Sequence, residues 1–156
     1  MPGTKSNDLV ALEHAARVAA GQADRGDVQW LQRGFEAWAR SGGAVPLERC
    51  LHLPRTEAQM LRLQRDTWLS TVAAELRTDP ALHDASTWLL ARRTAEELDR
   101  FVSRGPWREW RTAGLPDGSS RLREALYHVA LANAGQDLSA RQVLRILGQA
   151  SSVLCH

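Results

Sequence analysis

Lysine is almost missing from this 156-residue chain: Lys5 stands alone, and nearly all of the 20 basic residues are arginine. Isoleucine is equally scarce, with Ile146 the single example. Together with abundant Ala and Leu, this skew fits the coding bias of a GC-rich, bacterial genome, so arginine content alone carries no functional weight. Two cysteines, Cys50 and Cys155, give no disulfide framework and suit a reducing compartment. The N-terminus MPGTKSND lacks a basic-then-apolar leader pattern. No apolar run approaches the roughly 18 residues that a membrane helix requires. A cytoplasmic location and no membrane contact are expected.

Charge of one sign is lacking too. Lys+Arg 20 against Asp+Glu 18 leaves +2, too little to imply a polyanionic partner. Catalytic signatures are absent: G-x-S-x-G, H-E-x-x-H, the P-loop and G-x-G-x-x-G do not occur. Neither Glu48/His52 nor Glu124/His128 has the Glu-x-x-His spacing of di-iron bundles, and both read as surface pairs. Cys50-x-His52 and Cys155-His156 supply zinc-ligand atoms, but their spacing fits no structural zinc pattern. No catalytic residue, metal or cofactor is expected, and the chain reads as a non-enzyme.

What is present is helical periodicity. No stretch alternates with period two long enough to argue a strand. The reading is all-α: a single compact bundle of about seven helices over residues 1–156, with helix-turn-helix-like hairpins. Residues 1–6 are expected to be loose, and a hinge is expected at 112–120, where LPDGSS is the most loop-like stretch. Asn7 or Asp8 caps the first helix and Asp27 the second. In the second, Val28, Leu31, Phe35 and Trp38 recur as one apolar stripe, and Gly34 beside it suggests close approach of another backbone. Thr56 and Gln59 form a capping box for a long helix over 56–78, expected to be the central one. Its stripe is Ala58, Leu61, Trp68, Leu69, Val72 and Leu76, with Met60 and Leu63 covered from a second side by Leu47–Leu53. Arg65 interrupts that stripe, so it is expected either to snorkel or to pair with an acid on another helix: Glu36, Glu97 or Asp99. Trp88, Ala91, Ala95, Leu98, Phe101 and Val102 form the buried face of the next helix. Ser139 and Gln142 form a second capping box, with Leu138 and Val143 as its staple. Trp68, Val72, Leu31, Phe35, Leu98 and Val102 are expected in the core.

Two hairpins resemble the helix-turn-helix pattern without completing it. In the first, Leu47–Leu53 supports a helix that presents Arg55, Gln59 and Arg62. In the second, Leu122–Ala134 precedes Ser139–Leu147, which carries Arg141 and Arg145. Arg and Gln are base-reading and phosphate-contacting types, so these five are the nucleic-acid candidates. Each hairpin also reads as ordinary packing. A third constellation interleaves Arg104, Trp107, Arg108, Trp110 and Arg111, which suits base stacking or a protein interface; it reads equally as two tryptophans capping the core. Two functions follow: a small DNA-binding regulator or mobile-element accessory factor, and a helical protein-interaction module or adaptor.

Overall fold

The computed structural model describes residues 4–151. They form eight helices in chain order: α1 (Thr4–Ala19), α2 (Arg25–Arg40), α3 (Leu47–Cys50), α4 (Glu57–Leu76), α5 (Thr87–Ser103), α6 (Trp107–Ala113), α7 (Arg121–Ala132) and α8 (Ala140–Ser151). No strand occurs among the described residues, so the all-α class read from the sequence holds. Contacts divide the chain into two compact units, with the division inside α4 between Leu63 and Gln64. The loop at 114–120, with Gly114 and Gly118 at positive φ, lies within the second unit. No helix is long and apolar enough to cross a membrane among the described residues.

The first unit is built on α1, α2 and α3. Its core is small: Ala11, Trp30 and Leu51 are buried, with Ala15, Val18, Leu31, Leu47 and Leu53 packed around them. The Trp30 indole Nε1 donates to the Leu51 carbonyl at 3.2 Å, which ties α2 to the end of α3. Gly34 permits that approach, since a Cβ there would sit 2.1 Å from Leu51 Cδ2. α1 starts at Thr4, earlier than the cap expected at Asn7 or Asp8. The cap of α2 is Asp24, with Asp27 at the third helical position completing a reciprocal capping box.

Of the apolar stripe expected to face inward on α2, only Leu31 packs on the core. Val28, Phe35 and Trp38 are 47, 48 and 42 % exposed, while Asp27, Trp30 and Gly34 are buried. The inward face is rotated by about one residue, because the buried row contains a carboxylate and a glycine that hydrophobic counting passes over.

In the second unit α5 is the central helix, packing against α6, α7 and α8. Leu90, Ala91, Leu98 and Phe101 of α5 meet Leu69, Val72, Ala73 and Leu76 of α4 and Val129, Val143 and Leu147 of α7 and α8 in one apolar cluster. Thr94 also lies fully buried on α5. α4 therefore contributes its C-terminal half to this core, and its first turns, Glu57 to Arg62, are exposed apart from half-buried Met60. The row it buries, Leu63, Asp66, Leu69, Val72, Ala73 and Leu76, again includes an acid. Trp88, expected inside, is exposed, and Val102 is half-buried.

The Ser139/Gln142 capping box closes, and at Thr56 the cap bond forms while Gln59 reaches one residue past the cap. The Gln59 amide nitrogen donates to Thr56 Oγ1 at 3.2 Å, and Gln59 Oε1 accepts from the Arg55 backbone at 2.8 Å. Ser139 and Gln142 close theirs at 3.3 and 2.9 Å, with Leu138 and Val143 buried beneath it.

Candidate functional site

Sequence-level candidates come first. Arg104, Arg108 and Arg111 are exposed, but Trp107 and Trp110 are buried, each only 8 % exposed. Trp110 meets Phe101 edge-on at 5.7 Å, and both indoles contact the Tyr127 ring. Gly135, at φ 72°, lies so close that a Cβ there would sit 2.6 Å from Trp107 Nε1. Buried against Phe101, Tyr127 and Gly135, these rings belong to the core rather than to an open stacking or docking face.

The first hairpin offers less than its sequence suggested. α3 is a single turn, too short to act as the supporting helix of a helix-turn-helix. Gln59 Oε1 is committed to the Arg55 backbone, and Arg55 Nε lies 3.7 Å from Glu48. Arg62 is exposed. In the second hairpin α7 and α8 are joined through Asn133–Ser139, and both pack on α5 rather than on each other as a tight motif requires. Arg141 and Arg145 are exposed one turn apart on α8. Arg65 pairs with its neighbour Asp66, Nη2 to Oδ1 at 2.7 Å and Nε to Oδ1 at 2.9 Å, rather than with Glu36, Glu97 or Asp99. Glu124 pairs with Arg121 at 2.9 Å, and His128 stacks on Trp68 at 4.4 Å. Cys155 and His156 lie outside the described residues. No three His, Cys, Asp or Glu side chains come together as a metal ion requires among the described residues.

Sequence reading missed the densest polar cluster in the first unit. Asp27 is fully buried on α2 and faces two residues of α1. Arg17 donates from Nε to Oδ2 at 3.0 Å and from Nη2 to Oδ1 at 2.7 Å. The backbone N–H of Asp24 adds 2.8 Å to Oδ2. His14 Nδ1 lies 2.6 Å from Oδ1 and 2.9 Å from Arg17 Nη2; it donates to the carboxylate in its Nδ1–H tautomer and accepts from the guanidinium in the other. The Arg17 guanidinium, foremost, and the Asp24 and His14 bonds hold the Asp27 carboxyl far below the usual carboxylate range, although burial opposes this. The same contact raises Arg17 further above its ordinary value. The signal that could have found the cluster was His14 and Arg17 three apart on α1, opposite an Asp inside the next helix's first turn.

His14 stacks on Trp30 at 5.3 Å with the planes 16° apart, and beyond this pair opens a cleft of about 410 Å³. Its polar walls are His14, Arg33, Cys50 and His52, and its floor includes Ala11, Trp30 and Ala37. His52 has φ 57°, a left-handed conformation uncommon outside glycine. Asp8, whose carboxyl is raised by burial and lowered by His52, stands near that rim.

Compared with known proteins, the chain matches no family model, no curated protein and no solved structure.

Proposed function

We propose that this protein is a non-enzymatic helical interaction module that docks a partner protein on the exposed apolar row of α2. The observation that carries the reading is that Val28, Phe35 and Trp38 are 42–48 % exposed along one helix face. Val28 and Phe35 are seven residues apart and Phe35 and Trp38 three, so they share one flank of α2, with half-buried Leu31 between them packing on the core. Large aromatics are the residues that most often dominate binding energy when a partner covers them. The fitting partner is an apolar helix face, which meets such a ridge by side-chain interdigitation. A cytoplasmic location, expected from the cysteine count, belongs to the same reading.

Photo-crosslinking from position 35 or 38 in the producing cells tests this. A discrete protein adduct from Phe35 and Trp38, absent when the crosslinker replaces Glu36, which lies roughly 100–160° around α2 from them, is the expected result. No adduct, or the same adducts from position 36, overturns it.

A second reading, DNA binding, is favoured by one observation: Arg141 and Arg145 are exposed at successive turns of α8. That spacing suits contacts to the phosphate backbone rather than base reading. Retention on a DNA column that weakens steeply with salt, and is reduced in Arg141→Ala/Arg145→Ala, supports it; no retention at low salt excludes it.

A further inference from the structure

The cleft between α1, α2 and the residues after α3 has no part in the docking ridge. Arg33 and Phe35 are two residues apart on α2, hence roughly 200° apart around the helix, so the charged wall of the cleft and Phe35 occupy opposite flanks, while Trp38 lies one turn beyond cleft-lining Gly34. The volume of about 410 Å³ falls in the roughly 300–1,000 Å³ range of small-molecule sites.

Its lining has a one-sided chemistry. Arg33 brings a guanidinium, and His14 and His52 bring imidazoles; no Asp or Glu is among the lining residues, and the one carboxylate near the rim is Asp8, beside His52. Arg33 has no ion-pair or hydrogen-bond partner among the described residues, unlike Arg17, which is committed to Asp27. His14 is held in place: its Nδ1 is tied to buried Asp27 and its ring is stacked on Trp30. His52 is held at φ 57°, a conformation that costs free energy for a side-chain-bearing residue and clusters at ligand-binding positions. Cys50 is half-buried beside it. The remaining walls are apolar: Val10, Ala11 and Ala37.

We propose that this cleft is a binding site for a small organic oxyanion, a carboxylate or phosphate monoester on a compact apolar body. Arg33 and His52 take the charged end as hydrogen-bond donors. The short side chains of Ala11 and Ala37 leave room for the body, which lies against the stacked His14 and Trp30 rings. Guanidinium is suited to this task because its planar fork matches two oxygens at once. A bare metal ion does not fit, because its ligand set is not assembled here.

The test is a titration of the full chain, followed by backbone amide shifts, with phenyl phosphate, benzoate, inorganic phosphate and benzyl alcohol. Saturable shifts centred on Gly34 and His52 are expected with phenyl phosphate or benzoate, weaker ones with inorganic phosphate, and none with benzyl alcohol. Two variants carry the assignment. Arg33→Gln changes an exposed side chain and leaves the core intact, and it should weaken binding about tenfold or more, the scale of one lost charged hydrogen bond. His52→Gly relieves the left-handed backbone, so the chain should fold at least as stably while binding falls. Absence of saturation by either organic oxyanion, or wild-type affinity in both folded variants, overturns the proposal. Because neither variant touches Val28, Phe35 or Trp38, the result is independent of the docking ridge.

Discussion

Arg17 on α1 grips both carboxylate oxygens of Asp27 on α2, at 2.7 and 3.0 Å, and Asp27 has no exposed surface. This one contact joins the two longest helices of the first unit and also fixes His14 beside the cleft. Removing a single partner strands a buried charge, which is costlier than removing both. Arg17→Met is therefore expected to destabilise more than Arg17→Met/Asp27→Leu, which leaves no ion uncompensated. Urea unfolding of the two variants by circular dichroism checks the order, and equal midpoints would mean that the pair contributes little.

The same contact gives a sign for the acid limb of stability. The folded Asp27 carboxyl is held well below its unfolded value, near 3.9, so its contribution is complete above about pH 4. It is lost progressively as the pH falls toward the folded value. Asp27→Asn should lower the melting temperature at pH 7, and the gap to wild type should narrow between about pH 4 and pH 2. A gap that stays constant over that range would place the acid sensitivity elsewhere.

Gly34 faces Leu51 so closely that an added Cβ meets Cδ2 at 2.1 Å and Cγ at 2.8 Å. Helix propensity alone would favour Ala there by about 1 kcal/mol. Overpacking works the other way, by roughly 1–3 kcal/mol, and is expected to win in Gly34→Ala. Leu51→Ala removes the obstructing atoms, so the double variant should be less destabilised than the sum of the singles. A double-mutant cycle in urea measures that coupling, and strict additivity would show that Leu51 turns aside freely.

Much of this architecture was legible because it is local. The pairs Thr56/Gln59 and Ser139/Gln142 are short-range patterns: the second closes as a box, and in the first Thr56 caps Gln59 while Gln59 bonds the Arg55 backbone. Gly34 reads equally as a close backbone approach or a tolerated glycine; the close approach is the one found, made chiefly by the Leu51 side chain. What failed was rotation about the helix axis. On α2 the apolar row Val28, Phe35 and Trp38 suggested one inward face, yet the fold buries Asp27, Trp30 and Gly34. On α4 it buries Asp66, where the sequence row skipped the acid. A buried carboxylate is invisible to hydrophobic periodicity, since what makes burial tolerable is a partner distant in sequence: Arg17 lies ten residues before Asp27. Trp107 and Trp110 were ambiguous for the opposite reason. Their spacing gives one shared face but not which way it turns, and the adjoining α5 and α7 decide that.

Trp68 shows the energetic consequence of a misplaced face. It packs partly exposed, stacked on His128 at 4.4 Å with the Arg121 guanidinium 5.2 Å from its ring centre. Leu98 is fully buried at the centre of α5. Leu98→Ala should cost about 2–5 kcal/mol through lost burial and a cavity. Trp68→Ala should cost less despite the larger side chain, because solvent already reaches one side and no closed cavity remains. Thermal unfolding ranks them directly, and a larger loss for Trp68→Ala would place it at the core after all.

The exposed ridge makes the most discriminating stability prediction. If Phe35 and Trp38 served the internal core, replacing both with Ser would cost several kcal/mol, as loss of buried aromatics does. As exposed side chains with no core role, they should cost little, with each single substitution within about 0.5 kcal/mol. Trp30→Ala on the buried face of the same helix provides the contrast. It removes both a core ring and the 3.2 Å bond to the Leu51 carbonyl, so a loss of about 3–5 kcal/mol is expected. The measurement is chemical denaturation of Phe35→Ser, Trp38→Ser and Trp30→Ala side by side. A small effect at 35 and 38 with a large one at 30 leaves the ridge free for a partner. Comparable losses at all three positions would return Phe35 and Trp38 to the core, and the docking face with them.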